Sequence, residues 1–261
     1  MARSRDGVEI AYQRYGVTGP DAPTVVLVHG WAGNGSYWSH QIDVLAERYQ
    51  VVTVDLGGHG ASGFGRIDWN LPAFGDDVVA VVEEIGARNV ALVGHSMGGD
   101  AIVFAACSLG DRVRGLVWVD AFRSLGDEPT SSAEDVAAFV GPFREDFPAA
   151  VDRFARSMFS DHADPALVDR IAGAMAAAAV DATLGSLGYA LNRHAPMIAA
   201  LAELAAPIIA INPDVGPTDA ESLRHHGIES IVLTGVGHFL MLEDPEQFNR
   251  ALTATVASFI V

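Results

Sequence analysis

Short, continuous apolar runs recur along this chain at 24–28, 51–54, 89–93, 113–119, 208–211 and 231–234. Runs this short and rich in valine and isoleucine read as strands of a parallel sheet covered on both faces. Between them the apolar positions change to helical spacing. Trp38, Ile42 and Leu45 share one face of a helix predicted over 36–49. Leu71, Phe74, Val78, Val81 and Ile85 do the same over 71–85, and 99–109 is a helical stretch of small residues. Asp244 and Pro245 open a final helix with Phe248, Ala251, Leu252, Val256 and Phe259 on one face. Residues 8–15 alternate as a further strand after an Asp-Gly turn. Strand and helix alternating in this way predict an α/β fold with right-handed crossovers.

The rhythm changes after 121. No strand pattern appears from 122 to 206, where short helical patterns occupy 134–140, 151–159, 165–179 and 183–191. Asp164 and Pro165 mark one helix start, an N-cap followed by proline at the first helical position. The expected organisation is a core of 1–121 and 207–261 with a helical cap, 122–206, inserted between its strands. The alanine and phenylalanine of the cap fit ordinary helix packing as well as a substrate lining.

Composition narrows the chemistry. Of the 261 residues half are apolar and 19% charged, so a large core is available and global disorder is excluded. All 16 basic residues are arginine, which removes Schiff-base, pyridoxal phosphate and Walker-lysine chemistry. A formal charge of −17 argues against nucleic acid and anionic membrane surfaces as partners, leaving a small-molecule substrate. The single cysteine, Cys107, permits no internal disulfide and falls in a helical stretch, where packing is its expected role. No histidine pair has metal-ligand spacing, and neither metal nor cofactor is implied. The N-terminus lacks the apolar stretch of a signal peptide, so a cytoplasmic protein is expected.

The candidate chemistry centres on Gly94-His95-Ser96-Met97-Gly98, between the 89–93 strand and the 99–109 helix. A strand, G-x-S-x-G and a helix together form a nucleophile elbow. The turn is sharp enough that only glycine fits on its flanks, and it lifts the serine hydroxyl clear of the sheet. The N–H of Met97, at the helix N-terminus, can then point at a developing oxyanion. Among nine histidines, His238 alone stands in a Gly-x-Gly-His turn between a strand and the closing helix. His225 and His226 read as solvated.

Four segments together resemble the α/β-hydrolase family over nearly the whole chain. They are His29-Gly30, Asp55 through Ser62, Gly94 through Gly98, and Gly237-His238, each following a strand and with serine ahead of histidine. The resemblance implies a mostly parallel, eight-stranded sheet flanked by helices, with the cap after the sixth strand. It implies Ser96 as nucleophile, His238 as base and then acid, and Trp31 N–H as the second oxyanion donor beside Met97. The commonest family pattern puts the acid in a Gly-x-x-Asp loop after the 208–211 strand. Here that loop reads Asn212-Pro213-Asp214 and lacks the glycine. Haloalkane dehalogenases take the acid from the preceding strand end, which in this chain is Asp120. Asp120 is preferred, since it ends a buried strand where the backbone is held firmly; Asp214 stays open as the alternative. Serine at the elbow argues against dehalogenase and epoxide hydrolase chemistry. The implied activity is hydrolysis of a small carboxylic ester or lactone through an acyl-enzyme. The same triad would also serve a carbon–carbon bond hydrolase or a cofactor-free perhydrolase. A hydrolase-shaped ligand-binding or signalling protein with negligible turnover is the reading from another class.

Overall fold

The computed structural model describes residues 1–19, 21–126 and 130–260. Its first elements are two short strands, β1 (Ala2–Arg3) and β2 (Glu9–Ile10), paired antiparallel as a ribbon. A larger sheet follows, formed by β3 (Tyr12–Gly16), β4 (Thr24–Val28), β5 (Gln50–Val54), β6 (Val90–His95), β7 (Val113–Val119), β8 (Ile208–Pro213) and β9 (Glu229–Leu233). Its order is β3-β5-β4-β6-β7-β8-β9, and every pairing is parallel except that of β3 with β5.

Among the described residues this sheet has seven strands, not the eight expected. The alternating stretch 8–15 does not run as one strand. At Ala11 the ladder breaks: its N–H donates to Ser62 Oγ at 2.7 Å and its carbonyl accepts from Asp55 N at 2.9 Å. The residues before the break pair with β1, and those after it form the antiparallel edge of the sheet.

The apolar runs behave as a sheet covered on both sides requires. Val26 and Val28 of β4 pack into one core cluster, and Val25 and Leu27 into the other. This is the two-residue period of a strand, with both faces apolar. One face is covered by α2 (Leu71–Glu84) and α3 (Met97–Leu109), the other by α1 (Ser39–Ala46) and α11 (Pro245–Phe259). Asn70 caps α2 by accepting from Ala73 N at 2.8 Å, and Pro72 sits in its first turn.

Between β7 and β8 lie α4 (Ala133–Glu145), α5 (Phe147–Ser157), α6 (Pro165–Ala176), α7 (Val180–Leu187) and α8 (His194–Glu203). Their starts are written locally. Ser132 and Asp135 form a capping box for α4, Asp146 caps α5, and Asp164 caps α6. Helix α8 lies beyond the expected patterns; its Pro196 falls in the first turn, where proline is tolerated. A short α9 (Ala220–His225), capped by Asp219, also lies beyond the expected patterns, and α10 (Leu240–Glu243) is a single turn ahead of α11.

Candidate active site

Among the described residues only three non-glycines have positive φ, and all three follow the C-terminal ends of adjacent parallel strands. They are Ala32 after β4 (φ 54°), Ser96 after β6 (φ 52°) and Asp120 after β7 (φ 44°). Such conformations cost about 1–3 kcal/mol each and persist where the surroundings impose them. At Ser96 the imposition is visible. A Cβ on Gly94 would lie 2.3 Å from Gly98 O, and one on Gly98 would lie 2.5 Å from His29 O. The serine N–H donates to Val119 O at 2.9 Å, and its carbonyl accepts from Gly99 N at 2.8 Å. Gly30 brings the 29–33 loop against the elbow; a Cβ there would sit 3.1 Å from Ser96 Cβ.

His238 and Asp120 meet although far apart in the chain: His238 Nδ1 lies 2.7 Å from Asp120 Oδ2. The aspartate side chain is 3% exposed and the histidine 17%, so one is enclosed and the other reaches open space. Arg123 holds Asp120 from the other side, donating from Nε to Oδ1 at 2.8 Å and from Nη2 to Oδ2 at 2.9 Å. Burial pushes the Asp120 carboxyl up, but the hydrogen bonds from His238 and Arg123 outweigh it and leave the group well below the usual carboxylate range. It is therefore ionised at neutral pH and requires a proton on Nδ1, which leaves Nε2 free to act as a base. Asp214 is elsewhere. It is exposed, and its Oδ1 accepts from Gly235 N at 2.9 Å.

Ser96, Met97, His238 and Trp31 line one cavity of about 240 Å³. The remaining walls are largely apolar, with Phe139, Phe154, Met175 and Leu187 contributed by the helices between β7 and β8. The volume is below the roughly 300–1,000 Å³ of sites for drug-sized ligands, so it suits a small substrate. Among the described residues neither Trp31 N nor Met97 N donates to a backbone acceptor, and Met97 N belongs to the open end of α3. The Trp31 indole donates to Thr183 O of α7 at 2.8 Å and meets Phe143 and Phe154 edge-on. The Ser96 hydroxyl and His238 face the same space without a hydrogen bond in this conformation; such bonds often tighten only when substrate is bound.

His29, His59 and His95 hydrogen-bond to the backbone. His29 is buried and pushed down to about 3 by desolvation, so it is neutral; its Nε2 accepts from Leu56 N at 3.0 Å. His95 is held well below the ordinary value by burial and by His238 beside it. Its Nε2 lies 2.9 Å from the carbonyl oxygen of His238, which can only accept, so Nε2 donates and fixes that peptide. His225 is exposed and His226 half-buried, on a surface helix.

Several polar residues at the site lay beyond the sequence reading. Arg193, ahead of α8, donates to buried Asp100 at 2.6 Å, donates to Ala121 O and covers the Phe122 ring at 4.0 Å. Both line the cavity. Nothing in the periodicity marks them; Asp100 in the first turn of an otherwise apolar helix is the only local signal. Arg123, three residues after Asp120, stands in a position to pair with it.

With this geometry established, comparisons place the chain among known proteins. Residues 23–170 match the model of the alpha/beta hydrolase fold family. The pimeloyl-[acyl-carrier protein] methyl ester esterase of Aeromonas hydrophila is 32% identical over 162 residues, 60% of this chain and 61% of that protein. A bifunctional esterase/perhydrolase of Acinetobacter calcoaceticus is 36% identical over 102 residues, 39% of this chain and 36% of its own length. The chain thus aligns with less than two thirds of either relative. An esterase from Exiguobacterium antarcticum superposes over 98% of both chains with a TM-score of 0.84 at 21% identity, a likeness of fold. With the family model covering more than half of its length and a neighbour of the same fold covering nearly all of it, the chain belongs to the α/β-hydrolase family.

Proposed function

We propose that the protein is a serine hydrolase that cleaves a small carboxylic ester or lactone through an acyl-enzyme. The observation that carries this reading is the Asp120–His238 hydrogen bond of 2.7 Å beside a cavity that His238 shares with Ser96 on its strained turn. Ser96 Oγ attacks the carbonyl carbon while His238 Nε2 takes the hydroxyl proton. The oxyanion forms opposite the N–H groups of Trp31 and Met97, which have no competing backbone acceptor among the described residues. Collapse breaks the acyl–oxygen bond, and the imidazolium returns its proton to the leaving alkoxide. Water then attacks the acyl-serine with His238 again as base, releasing the carboxylic acid and regenerating Ser96. For a lactone the alcohol and the acid leave as one hydroxy acid.

In this reading 122–206 is a cap whose helices supply the apolar wall, and substrates are limited by a cavity of about 240 Å³ to short acyl or alcohol groups. Similarity to a bifunctional esterase/perhydrolase supports one further use of the same acyl-enzyme, attack by hydrogen peroxide in place of water to give a peracid.

A panel of p-nitrophenyl esters and small lactones tests the proposal. Wild-type protein should release nitrophenol, most rapidly from the shortest acyl chains. Ser96→Ala should remain folded and lose turnover, and a fluorophosphonate should label Ser96. Labelling elsewhere, with activity kept in Ser96→Ala, would overturn the reading.

A further inference from the structure

The histidine is held by more than Asp120. Met158 to Ser160, which follow α5, press against the turn that carries His238. His238 N donates to Met158 O at 2.8 Å. The turn and the helical segment then share one carboxylate oxygen: Glu243 Oε2 accepts from Gly237 N at 2.9 Å and from Ser160 N at 3.1 Å. The two backbones are in direct contact, since a Cβ on Gly237 would lie 2.5 Å from Ser160 N and 2.6 Å from Met158 O. Phe159 stacks on Phe239 with ring centroids 4.7 Å apart, and the second oxygen of Glu243 is buried without a partner among the described residues.

We infer that Glu243 is a positioning residue for His238, clamping the histidine turn to the Met158–Ser160 strap so that the imidazole is fixed relative to the helical segment. The inference rests on the hydrolase reading of Ser96 and His238. The chemistry of the clamp is specific. Two N–H groups converge on one oxygen, and only a side-chain acceptor at 243 satisfies both. Without it the Gly237 N–H has no partner and the turn is held to the strap by the His238 N–H alone, so His238 shifts relative to Asp120 and to the Ser96 side of the cavity. A misplacement of about 1 Å at a reacting group can cost on the order of 100-fold in rate. The strap also carries Met158 into the cavity wall, so histidine and wall move as one body.

Glu243→Ala and Glu243→Gln separate positioning from mere stability. The glutamine keeps an acceptor oxygen; the alanine removes it. Glu243→Ala should lower kcat on a short p-nitrophenyl ester about 100-fold with KM changed less than about twofold, and Glu243→Gln should restore most of that loss. The downfield proton resonance of His238 Nδ1–H should be strong in the wild type and in Glu243→Gln and lost in Glu243→Ala. If alanine prevents folding, Glu243→Met fills the space without an acceptor and carries the same comparison with glutamine. An unchanged kcat and resonance in the alanine or methionine variant, or a glutamine variant as slow as either, would overturn the inference. Failure of the hydrolase reading looks different: Ser96→Ala would match the wild type, and the resonance alone would still decide the role of Glu243.

Discussion

Strands β7 and β8 are parallel neighbours, and each runs into a turn that begins with or contains an aspartate. The two carboxylates have opposite surroundings. Asp120, at φ 44°, is turned inward, and its oxygens are taken by His238 and Arg123. Asp214, one residue beyond the end of β8, stays in solvent, donates its N–H to Leu233 O at 2.9 Å and braces Gly235. Even the polar position within β8 serves the other turn: Asn212 is buried and donates to Phe122 O at 3.1 Å. A carboxylate at a strand end is thus not enough to meet His238. Asp120 meets His238 from a positive-φ conformation at the end of β7, a conformation Asp214 does not share.

The largest expected effect tests this contrast directly. Asp120→Asn should lower kcat by about 10⁴-fold, the size of the same change in a serine protease, because the amide favours the wrong imidazole tautomer. Asp214→Asn should leave kcat within about twofold. Steady-state kinetics of both variants, with circular dichroism to establish folding, would break the contrast if the larger loss fell on Asp214.

A smaller effect is expected at Arg123. Arg123→Met removes both guanidinium hydrogen bonds from Asp120, along with a contact to Val215 O in the Asp214 turn. The carboxylate loses one of its two anchors, and kcat should fall by about 10- to 100-fold. A normal rate would mean that His238 and the backbone alone orient Asp120.

Acid stability sharpens the same comparison without any substrate. The Asp120 carboxyl has a lowered pKa in the folded protein, so its stabilising contribution is present above the ordinary carboxylate range. That contribution is lost as pH falls through the folded value. The urea midpoint of the wild type should therefore drop more than that of Asp120→Asn between about pH 5 and 2. Parallel curves would count against the interior ion pair.

The smallest effect is that of Asp214→Asn on stability. The asparagine oxygen can still accept from Gly235 N, and the site is exposed, so a change below about 0.5 kcal/mol is expected in urea unfolding.

The alternation of the sheet strands from β4 onward with helices α1, α2, α3 and α11 was legible in the sequence because apolar period and capping act over a few residues, whereas α8 and α9 were not. The Ser96 turn was legible for the same reason: its glycines answer clashes within the 94–98 segment and with the strand beside it. The first strand was misread as continuous because its break depends on Ser62, 51 residues away, taking the N–H of Ala11. Local reasoning preferred Asp120, because it ends a buried strand and the 212–214 loop lacks the usual glycine, but it left Asp214 open, since both stand at strand ends. Only the tertiary structure decided which carboxylate meets His238, across 118 residues of chain. It also decided that Arg193 reaches Asp100 and that Glu243 bridges Gly237 and Ser160. These pairings follow from how the helices between β7 and β8 fold back over the strand ends. Periodicity determines which face of a helix is apolar, but the partner of each polar side chain is selected by packing between elements distant in sequence.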